Sequence, residues 1–181
     1  EAAAAIDRYA ADRVDRTDLE LVTIDPPGAK DLDQALRVQA LDGDAGFRVH
    51  YAIADVAALV EPEGALDQES RRRGQTVYFP DGNVPLHPRE LSENGGSLLP
   101  DLDRAAVLWT VDVAADGEVR DVQLELATVR SRARLDYAGV SAGAECRSTR
   151  GALAPSAARG LTGDPPGDRT SPAHRAGTGP P

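Results

Sequence analysis

The chain has 181 residues, 41% of them hydrophobic, a single cysteine and a formal net charge of −10. That length allows one domain with its own core, no run of about 18 apolar residues is present to cross a membrane, and the lone Cys146 excludes an internal disulfide. The acidity argues against a free-standing nucleic-acid binder built on phosphate contacts. It leaves room for a metal-dependent enzyme, whose site must gather carboxylates.

Residues 1–12 are Ala-rich and predict a helix, so 1–16 is taken as a helical N-terminal remnant. The opening residues lack a Met and the basic-then-apolar pattern of a signal peptide, and a cytoplasmic location is expected. Leu19 to Asp25 alternates and carries β-branched Val22, Thr23 and Ile24, which predicts a strand. Pro26-Pro27-Gly28 breaks it. Leu32 to Leu41 and Phe47 to Ala54 predict a hairpin around Asp42-Gly43-Asp44-Ala45-Gly46. A short helix follows over Ala65 to Arg73, then a short strand over Thr76 to Phe79. Ala106 to Ala114 and Val119 to Arg130 form a second hairpin through Ala115-Asp116-Gly117. The expected class is α+β, a mixed fold with a mainly antiparallel sheet and short helices.

Composition changes sharply after residue 140. Of the 41 residues in 141–181, 29 are Gly, Pro, Ala, Ser or Thr, and the only large aliphatics are Leu153 and Leu161. Such a segment cannot bury enough apolar surface to offset its ordering entropy, so a disordered tail is expected. The first 140 residues carry a net −12, the tail +2. The tail's Arg, Pro, Gly and Ala content resembles a GC-rich coding region read out of frame, and a truncated or frameshifted product is the expectation.

The informative stretch runs from Thr23 to Leu36 and holds Asp25, Asp31 and Asp33. A strand delivers Asp25 at its end. Asp31 and Asp33 are two residues apart, so in an extended segment they share a face. Three carboxylates converging on one volume repel one another unless a cation neutralises them, and Mg²⁺ takes oxygen ligands of this kind. On spacing alone the same residues also suit a solvated turn. An EF-hand is excluded, because Leu36 and Asp42 stand where its Gly and Glu must be, counting from Asp31.

The segment Thr23-Ile24-Asp25 through Asp31-Leu32-Asp33-Gln34-Ala35 resembles the signature of the RNB family, the ribonuclease II and R type exoribonucleases. The likeness continues in order: Tyr51-Ala52-Ile53-Ala54-Asp55-Val56, then Arg71-Arg72-Arg73-Gly74, Thr76-Val77-Tyr78-Phe79-Pro80, Val84-Pro85-Leu86, and Ala133-Arg134-Leu135-Asp136-Tyr137. It covers about residues 17–140, which are taken as a partial RNB ribonuclease domain.

The resemblance implies Mg²⁺-dependent 3′-to-5′ hydrolysis of single-stranded RNA to nucleoside 5′-monophosphates, with no other small-molecule cofactor and no membrane partner. It implies catalytic and metal-binding roles for Asp25, Asp31 and Asp33, with Asp33 the least replaceable. It also implies stacking by Tyr78 on the terminal nucleotide and a clamp on the 3′ end by Tyr137. Read without the resemblance, Tyr78 is a buried strand aromatic and Tyr137 a packing residue at a helix start.

Two departures stand out. Gln34 occupies the place of a fourth acid and can offer only its carbonyl oxygen to a metal. The second half of the domain, with its phosphate-gripping arginine, is not recognisable in 141–181. A competing expectation is therefore a catalytically inactive fragment with weak Mg²⁺ or RNA binding. A phosphatase built on the Asp31-Leu32-Asp33 pair is a third reading, which the ordered blocks oppose.

Overall fold

The computed structural model describes residues 6–141. Its main body is a closed five-stranded barrel of β1 (Val14–Ile24), β2 (Gln34–Ala40), β3 (Phe47–Ala54), β6 (Asp103–Val113) and β7 (Val119–Leu135), in that order around the sheet. Every neighbouring pair is antiparallel except β1 with β7, which closes the barrel in parallel. The two expected hairpins, β2–β3 and β6–β7, are present. In the first, Gly46 at φ 119° packs against β6, where an added Cβ would lie 2.0 Å from the Val113 carbonyl oxygen. Only glycine fits there.

The smaller elements are, in chain order, α1 (Val56–Leu59), α2 (Ala65–Arg73), a two-stranded ribbon of β4 (Val77–Phe79) and β5 (Gly82–Val84), a π-helical turn at Leu91–Gly95, and α3 (Tyr137–Ser141). The α+β class and its mainly antiparallel sheet are as expected. The helix over Ala65–Arg73 matches its expected bounds. Expected strands lengthen: the first begins at Val14, and the last runs on to Leu135.

The expected N-terminal helix is corrected. Within the described part of residues 1–16 there is only a one-turn 3₁₀ helix at Ala10–Asp12, and Val14 to Arg16 already belong to β1. The physical reason is Arg13. Its side chain is 2% exposed and bonds Asp7 at 2.5 Å and Asp55 at 2.7 Å, so a buried ion triad overrides alanine's helix preference. The expected disordered tail lies, from residue 142 onward, outside the described residues.

The barrel interior is filled by Leu21, Leu98, Leu108 and Val129 with the small Ala35, Ala52, Ala106 and Ala127. Mixing small and large side chains is what a narrow barrel requires. The outer face of the same strands is also apolar. Tyr51, Trp109 and Leu124 are in register across β3, β6 and β7, and Val49, Val111 and Val122 form the next row. Trp109, Val122 and Leu124 are 36%, 48% and 56% exposed. The period-two pattern places both faces correctly, but this chain puts hydrophobic residues on each.

Candidate active site

The acidic segment is the connection from β1 to β2. Asp25 extends the parallel pairing past the end of β1, its N–H donating to the Leu135 carbonyl at 3.0 Å. The Pro26-Pro27-Gly28 turn follows, with Gly28 at φ 89° and the Ala29 N–H donating to Pro26 O. The chain then runs extended through Asp31, Leu32 and Asp33.

Leu32 anchors that run. Its side chain is fully buried, its N–H donates to Ser97 Oγ at 2.9 Å, and its carbonyl accepts from the Leu98 N–H at 2.9 Å. Ser97 Oγ in turn donates to Lys30 O at 2.7 Å. Arg104 steadies this partner loop by donating to Ser97 O and to Asn94 Oδ1. With Leu32 turned inward, alternation turns Asp31 and Asp33 outward together, and both line a cavity of about 400 Å³.

The other lining residues come from the β4–β5 ribbon and the segments on either side of it. Tyr78 and Asn83 project from the ribbon, and His87, Arg89 and Glu93 follow. Local bonds hold this wall. Arg73 donates to Pro85 O at 2.7 Å, Thr76 Oγ1 accepts from the Leu86 N–H at 3.1 Å, and Arg89 donates to Asn83 Oδ1 at 3.0 Å while pairing with Glu93. Tyr78 is 73% exposed, so the reading of it as a buried strand aromatic is wrong.

The carboxylates feel one another. Burial first, then the charge of Asp31, pushes the Asp25 pKa above the ordinary carboxylate range. Asp33 lines the cavity and is solvent-exposed, with protein packed around part of it. Desolvation, then Asp31 and Asp25, raise its pKa as well. Asp25 Oδ2 is buried with no hydrogen-bond partner among the described residues. An orphaned carboxylate oxygen within electrostatic reach of two further acids is a donor set suited to a hard cation.

The expected convergence needs correction in one respect. Among the described residues no three His, Cys, Asp or Glu side chains form a ready-made metal cluster. The Pro-Pro-Gly turn sets Asp25 apart from the Asp31–Asp33 wall, and mutual repulsion favours that spread. Mg²⁺ keeps several waters and needs only one or two direct carboxylates, so the residues present fit it.

Three expected site residues stand outside the cavity lining, and Asp25, just past the end of β1, is the first of them. Gln34 opens β2, paired with Ile53, and is exposed without lining the cavity. Tyr137 begins α3, is 61% exposed and does not line it either. Conversely Lys30, Asn83, His87, Arg89 and Glu93 line the cavity and were not singled out from sequence. Only His87, set between Pro85 and Pro88, offered a signal, a lone imidazole in a stiffened segment.

The RNB domain model matches residues 13–152. The chain belongs to the RNB family. Exoribonuclease 2 of Vibrio vulnificus (strain YJ016) is 41% identical over 132 residues, covering 72% of this chain and 20% of that protein. The "Inactive exonuclease DIS3L2" of Arabidopsis thaliana is 46% identical over 127 residues, covering 69% of this chain and 12% of its own length. Among solved structures, Mycoplasma genitalium RNase R in complex with ribose methylated single-stranded RNA superposes with a TM-score of 0.73 at 30% identity, over 86% of this chain and 24% of that one. This RNB chain thus spans about a fifth of the length of the relatives it matches. The RNB resemblance and the fold class expected from sequence are both borne out.

Proposed function

We propose that this RNB chain serves Mg²⁺-dependent 3′-to-5′ hydrolysis of single-stranded RNA, releasing nucleoside 5′-monophosphates. The observation that carries the reading is the shared cavity. Asp31, Asp33 and Tyr78 all line one cavity of about 400 Å³, space for one nucleotide at the lower end of ligand-pocket sizes.

In this reading Asp31 and Asp33 hold the ion from the cavity wall, and Asp25 contributes its orphaned oxygen from behind. Bound Mg²⁺ supplies charge neutralisation and polarisation at the phosphodiester. Tyr78, free in solvent, stacks on a base without regard to its identity. Asp33 carries the largest share, because it lines the cavity and feels both other acids. Tyr137 clamps the 3′ end only if RNA extends beyond the cavity towards α3.

A second reading, a unit that binds Mg²⁺ or RNA without turnover, is favoured by two observations. Gln34 is neutral and lies outside the cavity. A relative bearing the word inactive in its name is as similar as the exoribonucleases. Degradation of a 5′-labelled single-stranded RNA by the purified chain with Mg²⁺ separates the two. A ladder shortening from the 3′ end, absent with Asp33→Asn, supports hydrolysis by this chain. A folded sample that binds the RNA and leaves it intact supports the second.

A further inference from the structure

His87 is held more firmly than a cavity-lining side chain needs to be. Pro85 and Pro88 flank it, and the Pro88 carbonyl accepts from the Leu91 and Ser92 N–H groups at 2.9 and 3.0 Å. Its Nδ1 lies 3.0 Å from Ser70 Oγ on α2. Ser70 Oγ also donates to the Leu66 carbonyl, four residues back along the same helix, at 2.8 Å. A serine hydroxyl has one proton. With that proton on Leu66 O, Nδ1 must be the donor of the imidazole–hydroxyl bond. The neutral ring then carries its hydrogen on Nδ1 and leaves Nε2 as a bare acceptor. Nε2 has no hydrogen-bond partner among the described residues, and the ring lines the cavity.

The surroundings indicate which ligand group meets it. His87 and Asp33 interact electrostatically, so the imidazole stands on the side of the carboxylates, where a phosphodiester would lie. The exposed ring of Tyr78, the stacking surface for a base, belongs to the ribbon. Between phosphate and base lies the sugar.

We propose that His87 reads the sugar: its Nε2 accepts a hydrogen bond from the ribose 2′-hydroxyl of the nucleotide between Asp33 and Tyr78, and so selects RNA over DNA ends. This rests on the RNA reading above. A 2′-deoxy sugar has no donor to give and would leave Nε2 unpaired in a desolvated site.

The test is binding of two fluorescent single-stranded oligonucleotides, identical except that the 3′-terminal sugar is ribose in one and 2′-deoxyribose in the other. Ca²⁺ replaces Mg²⁺ to suppress turnover. The wild-type chain should prefer the ribose end by about fivefold, the equivalent of one hydrogen bond. His87→Leu should abolish the preference with little change for the deoxy end, and His87→Gln, which keeps an acceptor, should restore part of it. A preference unchanged in His87→Leu, or absent in the wild type, overturns the assignment while leaving the RNA reading intact. Failure to bind either oligonucleotide overturns the RNA reading and the assignment with it. Long-range ¹⁵N–¹H spectra of the free chain give an independent check. The neutral imidazole should be the Nδ1–H tautomer, and an Nε2–H tautomer overturns the assignment without reference to RNA.

Discussion

Ser97→Ala tests how the acidic segment is held. Ser97 is fully buried, and its hydroxyl is both the acceptor for the Leu32 N–H at 2.9 Å and the donor to Lys30 O at 2.7 Å. The substitution leaves a buried N–H without its acceptor and a carbonyl without its donor, at a cost of about 2 kcal/mol. For an ordered region of this size that is a fall of about 8 °C in Tm. Leu32 also loses the bond that fixes its backbone between the two acids, so Asp31 and Asp33 no longer hold a shared direction. Mg²⁺ affinity should fall by about tenfold, as when other outer supports of metal ligands are removed. The assays are thermal melting by circular dichroism in EDTA and calorimetric Mg²⁺ titration well below the melting temperature. A Ser97→Ala chain that melts within about 2 °C of wild type would refute the claim that Ser97 pins the segment. Normal Mg²⁺ affinity in a destabilised variant would refute the link from that pin to the metal.

Further expectations concern charge, stacking and surface. The raised Asp25 pKa means that its ionised form is penalised in the folded state. This penalty is absent below the ordinary carboxylate range, grows as pH rises towards the raised folded pKa, and is constant above it. In EDTA, Asp25→Asn should therefore melt above wild type at neutral pH and level with it in acid; lower melting at neutral pH would contradict the cause given. Arg13→Met breaks the buried triad and should cost about 3–5 kcal/mol, seen in urea denaturation. In the wild type, the Asp7 contribution to stability, whose pKa Arg13 holds low, is present above the ordinary carboxylate range and lost as pH falls. Tyr78→Ala should leave Tm unchanged, because the ring is 73% exposed, yet weaken single-stranded RNA binding by about tenfold or more; unchanged affinity would remove Tyr78 from the site. The apolar outer face should drive self-association, and Leu124→Glu should reduce it in sedimentation velocity; a wild-type monomer at high concentration would contradict this.

Some of the site was legible because its signal is local. Asp31 and Asp33 share a face through the two-residue period of extended chain, and the Pro-Pro-Gly turn announces itself by composition. Tyr78 was found through the family's ordered blocks, and its exposure was not, because a strand aromatic is ordinarily buried. Gln34 and Tyr137 matched family positions, yet they lie outside the cavity, since a motif gives position along the chain and not direction in space. His87, Asn83 and Arg89 escaped because what gives them meaning is a partner: Ser70, Glu93 or the acids across the cavity.

The sequence by itself determined the hairpins, the helix at Ala65–Arg73, the acidic turn and the family, all of which depend on residues close together or on an ordered series of short blocks. Only the tertiary structure decided the rest. The barrel closes through β1 and β7, whose partners Val14 and Ala127 are more than a hundred residues apart, and no local pattern encodes parallel pairing at that distance. The N-terminal segment gave up its helical preference to a buried Arg13 triad for the same reason. Short-range propensities amount to tenths of a kcal/mol per residue, and a buried ion pair or a closed ladder of hydrogen bonds outweighs them.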